Sequence, residues 1–280
     1  MMQYGFVIPH GDIHSIGGLA QDAEAAGWDG VFYWDGICIP GAGEMYDPWV
    51  TLAAIAMRTQ RVRIGAVLTP VARRRPWKLA RETVTLDHLS GGRLVLPVGL
   101  GVLDDLGFGG VGEPTDRKTR AELLDEGLAI LTGLWSGEPF SFTGKHYHLA
   151  EMTFLPPPVQ RPRIPIWVVG AWSRERSMNR VLQYDGLLPN KLDDAGKQAD
   201  VEPADLGAMR DYIAQRRTAT TPFDIVMEGV TPGDDPARAA DIIRPFAEAG
   251  ATWWLEAMWT APNDPDDVRT RIRQGPPRSE

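Results

Sequence analysis

Between Thr69 and Gly101 the chain reads TPVARRRPWKLARETVTLDHLSGGRLVLPVGLG, a stretch that few folds accommodate. It ends one strand, builds one helix and starts the next strand, so it forms a single βαβ unit. Apolar residues at helical spacing, Leu79, Val84, Leu86 and Leu89, stop at Gly91-Gly92, where glycine supplies the left-handed backbone that commonly ends helices. Leu94 to Leu100 is then a nearly continuous apolar run, as expected of a parallel strand covered on both faces.

The same alternation of short apolar runs and longer amphipathic segments extends along the chain and gives eight strand–helix pairs. Strands are predicted at Tyr4 to Pro9, Gly30 to Trp34, Val62 to Leu68, Leu94 to Leu100, Ile166 to Gly170, a short one near Leu187, Ile225 to Gly229 and Thr252 to Met258. The matching helices are Ser15 to Ala26, Asp47 to Met57, Pro76 to Leu89, Thr119 to Trp135, Ser173 to Tyr184, Asp205 to Arg217, Pro236 to Ala249 and Pro265 to Gln274. Two segments interrupt the rhythm. Gly101 to Lys118 reads as an extended glycine-rich loop after strand four. Pro139 to Pro165 holds the hairpin FSFTGKHYHL and then a proline-rich connector before strand five. The expected architecture is one α/β domain over residues 1–280, a closed (β/α)8 barrel with those two insertions, a form that takes about 250 residues.

Composition narrows the function classes. The formal net charge of -8 leaves no excess of Lys and Arg for a nucleic-acid partner. Cys38 is the only cysteine, which rules out an intrachain disulfide and a cysteine metal cluster and fits a reducing cytoplasm. No apolar run reaches the roughly 18 residues that span a bilayer, so a soluble protein acting on a small molecule, with no membrane partner and no metal, is expected.

In such barrels chemistry sits where strands end and the following loops begin. His10, Asp35 and Glu228 occupy such positions. His10 either exchanges a proton or serves as a hydrogen-bonding loop residue, and Asp35 either acts as a base or forms a turn. Glu228 and Glu256 lie on or beside apolar strands, where a carboxylate needs partners. Glu256 reads as a structural strut, whereas Glu228, nearer a strand end, divides between a strut and a contact to substrate or cofactor. Cys38 has no obvious local base. Gly170, Ser173 and Arg174, in PIWVVGAWSRERSMNR, combine close backbone approach, a helix start and positive charge. They suit either a phosphate or an ordinary capped helix with solvated arginines. Of ten tryptophans, Trp34, Trp172 and Trp259 follow strands and are candidates to wall an aromatic ring or a bulky substrate.

DPWVTLAA, the Thr69–Gly101 unit and the FLPPPVQRPRIPIWVVG segment together resemble the luciferase-like family of flavin and deazaflavin oxidoreductases. The resemblance runs from strand one to at least Leu188 and implies a (β/α)8 TIM barrel. It further implies reduced FMN used with oxygen, or coenzyme F420 used as a hydride carrier, with the cofactor phosphate after strand five. It also places a non-proline cis peptide near Ala66-Val67-Leu68, which makes Val67, Leu68 and Thr69 candidates to support the cofactor ring. Many members carry a histidine after the strand-two aspartate, whereas this chain reads Trp34-Asp35-Gly36. The expected function is a luciferase-like monooxygenase using reduced FMN. An F420-dependent hydride-transfer enzyme, a cofactor-free barrel with paired Asp35 and Glu228 carboxylates, and a non-catalytic flavin-binding relative remain as alternatives, and the family's habit makes a homo-oligomer plausible.

Overall fold

The computed structural model describes residues 2–102, 104–193, 196–260 and 265–278; part of the expected 101–118 loop, residue 103, lies outside them. Eight barrel positions are filled in chain order by β1 Gln3–Val7, β2 Gly30–Tyr33, β3 Arg63–Ala66 with its continuation Thr69–Pro70, β4 Leu96–Gly99, β5 Ile166–Trp172, β6 Gly186–Leu192, β7 Asp224–Gly229 and β8 Trp253–Ala257. All neighbours in this ring are parallel, and β1 lies against β8, with Gln3 opposite Trp253 and Val7 opposite Ala257. Between β3 and β4 the ring closes through Ile64, whose N–H donates to Arg93 O at 3.1 Å and whose carbonyl accepts from Val95 N at 2.9 Å. Strands from both ends of the chain are therefore needed to complete it.

Each strand is followed by a helix: α1 Ile13–Ala25, α2 Pro48–Arg58, α3 Pro76–Leu89, α4 Arg117–Trp135, α5 Glu175–Val181, α6 Pro203–Arg216, α7 Pro236–Ala249 and α8 Pro265–Arg273. Their starts are chemically marked. Asp12, Asp47, Asp116 and Asp235 accept hydrogen bonds from first-turn N–H groups, and proline opens α2, α3, α6 and α7. The Asp12 cap starts α1 two residues earlier than apolar spacing suggests. At the end of α3, Gly91 and Gly92 have φ of 65° and 84°, the backbone a helix stop requires.

Two apolar shells result. The inner shell fills the barrel with Val7, Phe32, Val67, Val95, Trp167, Leu188, Val226, Trp253, Leu255 and Ala257. At its floor Phe32, Trp167 and Trp253 pack on one another with centroids 5.4–6.1 Å apart. The outer shell packs helices on strands.

The predicted hairpin is present as strands Phe140–Thr143 and His148–Met152. It is pinned to α4 by the Glu126 carboxylate, which accepts the N–H groups of Lys145, His146 and Tyr147 at 2.7–3.3 Å. The sixth strand differs from expectation. It is seven residues long, because Pro189, Asn190 and Lys191 continue the ladder against Gly170, Ala171 and Trp172 although they break the apolar run. Among the described residues no helix is long and apolar enough to cross a membrane.

Candidate active site

One large cavity opens at the C-terminal ends of the barrel strands, lined from almost every βα loop. His10, Trp34 and Asp35 reach it after β1 and β2, Val67 and Leu68 after β3, Val169 and Arg174 from β5 and its loop, and Glu228 and Trp259 from β7 and beyond β8. The Val67–Leu68 peptide is cis and lies on the cavity wall, at the position to which the resemblance assigned such a bond. A second non-proline cis bond, Trp172–Ser173, had no counterpart in the sequence reading.

Asp35 is not a free carboxylate. Its side chain is fully buried; Oδ1 accepts from Arg73 Nη2 at 3.0 Å and Oδ2 from Arg74 Nη2 at 2.6 Å and Nε at 2.9 Å. Arg73 Nη1 also meets Asp105, which accepts the N–H groups of Ile37, Cys38 and Gly107. Burial alone would raise the Asp105 pKa, but those N–H donors and the Arg73 guanidinium bring it down to about 2. Two buried carboxylates and the guanidiniums of Arg73 and Arg74 thus tie together the loops after β2, β3 and β4, and the chemistry left to Asp35 is positioning.

Glu228 is placed differently. Its side chain is exposed to the open cavity, yet the protein packed around it raises its pKa, while a hydrogen bond from Trp259 Nε1 to Oε2 at 3.3 Å acts in the opposite direction. Glu256, its neighbour on the next strand, points out of the barrel and is fully buried. It accepts from Thr231 N and Oγ1 at 2.7 Å and meets Arg271 at 3.3 Å, a strut between α8 and the loop after β7. His10 Nε2 is buried without a hydrogen-bond partner.

The phosphate candidates separate. Arg174 and Arg176 line the cavity, but Ser173 is exposed in the preceding turn and does not line it, because α5 begins only at Glu175. Gly170 faces the other way: a Cβ there would stand 2.4 Å from Leu187 Cδ1 and 3.0 Å from Val181 Cγ2, so its missing side chain makes room for α5. Ser177 shapes the loop instead, its hydroxyl accepting from Ala171 N at 2.9 Å and donating to Val169 O at 3.4 Å. Thr69 is buried outside the lining, with Oγ1 unpartnered. Trp172 also lies off the lining, edge-on against Tyr212 at 5.7 Å.

Arg120, which the sequence reading missed, lines the same wall. Its Nη1 donates to the carbonyls of Leu100 and Gly101 at 2.8 and 3.1 Å, its Nε has no partner, and no carboxylate among the described residues forms an ion pair with it. Burial lowers its pKa, the cost of a cation held away from water. Its only sequence signal is an arginine in the first turn of α4, a common surface pattern.

The site also explains Gly36. A Cβ there would lie 2.7 Å from Trp34 Cζ3 and 3.2 Å from both Ile39 Cδ1 and Met45 Sδ. The indole, held by its Nε1 donating to Pro9 O at 2.7 Å, fills the space into which a side chain at position 36 would project. Among the described residues no group of three or more His, Cys, Asp or Glu side chains could hold a metal ion.

Comparison with solved structures gives the same barrel. An F420-dependent secondary alcohol dehydrogenase in complex with an F420-acetone adduct superposes with a TM-score of 0.79 at 17% identity, covering 99% of this chain and 98% of that one. The monooxygenase RslO1 from Streptomyces bottropensis gives 0.77 at 21% identity over 98% and 97%. The oxygenating constituent of 3,6-diketocamphane monooxygenase from Pseudomonas putida, in complex with FMN, gives 0.75 at 14% identity over 98% and 96%. At these identities the likeness is one of fold. The family model for luciferase-like monooxygenases matches residues 2–274, and the chain belongs to that family.

Proposed function

We propose that this chain is a luciferase-like oxidoreductase that takes reduced FMN at the barrel mouth and oxygenates a small organic substrate. The observation that carries this reading is the junction of an apolar shelf, Val67, Leu68, Gly99 and Val169, with a cationic wall, Arg120, Arg174 and Arg176. A flat ring bearing an anionic tail needs that combination, and Arg120, buried without a carboxylate, fits the anionic end. When bound, reduced FMN would supply the electrons with which oxygen is activated.

The chain's own residues do the rest. Arg120 and Arg174 hold the tail, while Ser177 keeps the β5 loop in the shape that presents Arg174. Leu68 and Val169 would support the ring with hydrocarbon. His10 holds or moves a proton at Nε2, Glu228 gives the substrate its polar contact, and Trp34 and Trp259 wall it in. Asp35 acts through Arg73 and Arg74 by holding the rim.

A second reading is supported by the extent of the cationic wall. It continues through Arg117 and Lys118 on α4, further than one phosphate requires, which suits the longer anionic tail of F420 and hydride transfer in place of oxygen chemistry. Titration with FMN, anaerobic reduced FMN and F420, followed by tryptophan fluorescence, tests both. Reduced FMN is expected to bind at about micromolar Kd and the other two roughly tenfold or more weakly. Preferential F420 binding selects the hydride-transfer enzyme. Folded protein that binds none of them sinks both readings and returns the cofactor-free and non-catalytic alternatives.

A further inference from the structure

Cations outnumber acids on one side of the barrel mouth. The side formed by α4 and the β5–α5 loop carries Arg117, Lys118, Arg120, Arg174 and Arg176, and of the carboxylates beside them Glu122 is paired with Lys145 and His146 and Asp125 with Arg180, which leaves Glu175. The loop after β2, the end of β7 and the loop after β8 contribute Trp34, Glu228 and Trp259. Arg73 and Arg74, which also reach toward the β2 loop, are committed to Asp35 and Asp105.

Glu228 is left with one hydrogen-bond partner among the described residues, the Trp259 indole N–H at 3.3 Å, and no charged side chain acts on its ionisation. An ionised carboxylate accepts about four hydrogen bonds, so most of this capacity is open to a ligand in the cavity. The donated N–H favours the ionised form, while the protein packed around the carboxyl opposes it; a cationic ligand would relieve the opposition. Indole faces attract ammonium groups, and the lining also offers hydrocarbon from Ile39, Leu68 and Val226 beside the polar His10, Asp35 and Thr260.

We propose that Glu228, together with the indoles of Trp34 and Trp259, recognises a protonated amine, so that the substrate of this mouth is an amine carried on an apolar body. The inference rests on reading the mouth as the substrate site of a cofactor-dependent oxidoreductase, and it deepens that reading by assigning the two charged halves to two ligands. The cationic half takes the anionic cofactor, and the carboxylate half takes the cationic substrate. A carbonyl or hydroxyl substrate would use Glu228 in the opposite state, as a neutral acid donating its proton. The two therefore differ in the sign of their pH dependence.

Calorimetry on the full chain, with and without reduced FMN or F420, tests the proposal using benzylamine, cyclohexylamine and n-hexylamine, each against its matching alcohol. At least one amine is expected to bind roughly tenfold or more tightly than its alcohol, and E228Q is expected to abolish that preference. E228D, which keeps the charge, is expected to retain part of it, and thermal melting of both variants checks that the fold is kept. Amine affinity should rise with pH as Glu228 ionises. The profile is repeated in H10Q because His10 also faces the mouth, as do the mutually paired Asp35 and Arg73. Alcohols that bind as tightly as the amines, a preference that survives in E228Q, or an affinity that falls as pH rises overturns the proposal. Cofactor binding without amine preference removes this inference alone. Amine preference without binding of any cofactor supports it and removes the oxidoreductase reading.

Discussion

Arg73 Nη2 holds Asp35 twice, at 2.7 Å on the backbone carbonyl and at 3.0 Å on Oδ1. The same guanidinium reaches Asp105, and both carboxylates are buried, so removing it leaves two buried acids short of a counter-ion. R73M is expected to cost about 3–5 kcal/mol in denaturant unfolding. R73K should recover only part of this, because an ammonium cannot span the two carboxylates as a planar fork does.

Asp105 gives the network a pH signature. Its folded pKa is depressed to about 2 from the ordinary aspartate value of 3.8, so the stability it contributes is complete above about pH 4 and is lost as pH falls through 2. The loss amounts to about 2 kcal/mol. Stability measured from pH 6 to pH 2 should fall less steeply in D105N than in the parent.

Gly170 makes a packing prediction. Its Cβ position lies 2.4 Å from Leu187 and 3.1 Å from Met178 Sδ, so G170A should press α5 off the sheet and cost about 1–3 kcal/mol by chemical denaturation. A variant as stable as the parent would show that this wall yields more easily than its packing indicates.

Position 36 can be probed directly. Because the Trp34 ring stands 2.7 Å from the Gly36 Cβ position, G36H should lower the melting temperature, and adding W34A should restore part of the loss. Residues sharing one volume are coupled, so the double variant is expected to be more stable than the sum of the single losses. Strict additivity would refute the shared volume.

On the cationic wall, R120M should weaken whichever of reduced FMN or F420 the parent binds by roughly tenfold or more. The salt dependence of binding should flatten with the lost charge. R120K, which keeps the charge but not the planar guanidinium whose Nη1 donates to the Leu100 and Gly101 carbonyls, should fall between R120M and the parent.

Local pattern made much of this molecule readable. α3 and α7 begin and end where spacing, proline and glycine placed them, and the Phe140–Met152 hairpin turns at Gly144, whose N–H donates to Tyr147 O at 2.8 Å. Each signal fits within a turn or two of chain. The candidate site was readable only as a set of strand ends: His10, Asp35, Glu228, Trp34 and Trp259 were placed at the mouth, but their partners were not.

The alternation of apolar runs and amphipathic segments by itself determined an eightfold barrel, because each apolar strand must be covered and each amphipathic helix has one face to cover it. Only the tertiary structure decided that Asp35 is held by arginines 38 and 39 residues away, that Trp259 bonds Glu228 across 31 residues, and that Gly170 turns its back on the mouth. Those facts depend on the stagger with which the ring closes and on which way each strand's alternate residues then face. A short sequence window records the period of a strand but not its registration against neighbours brought from elsewhere in the chain.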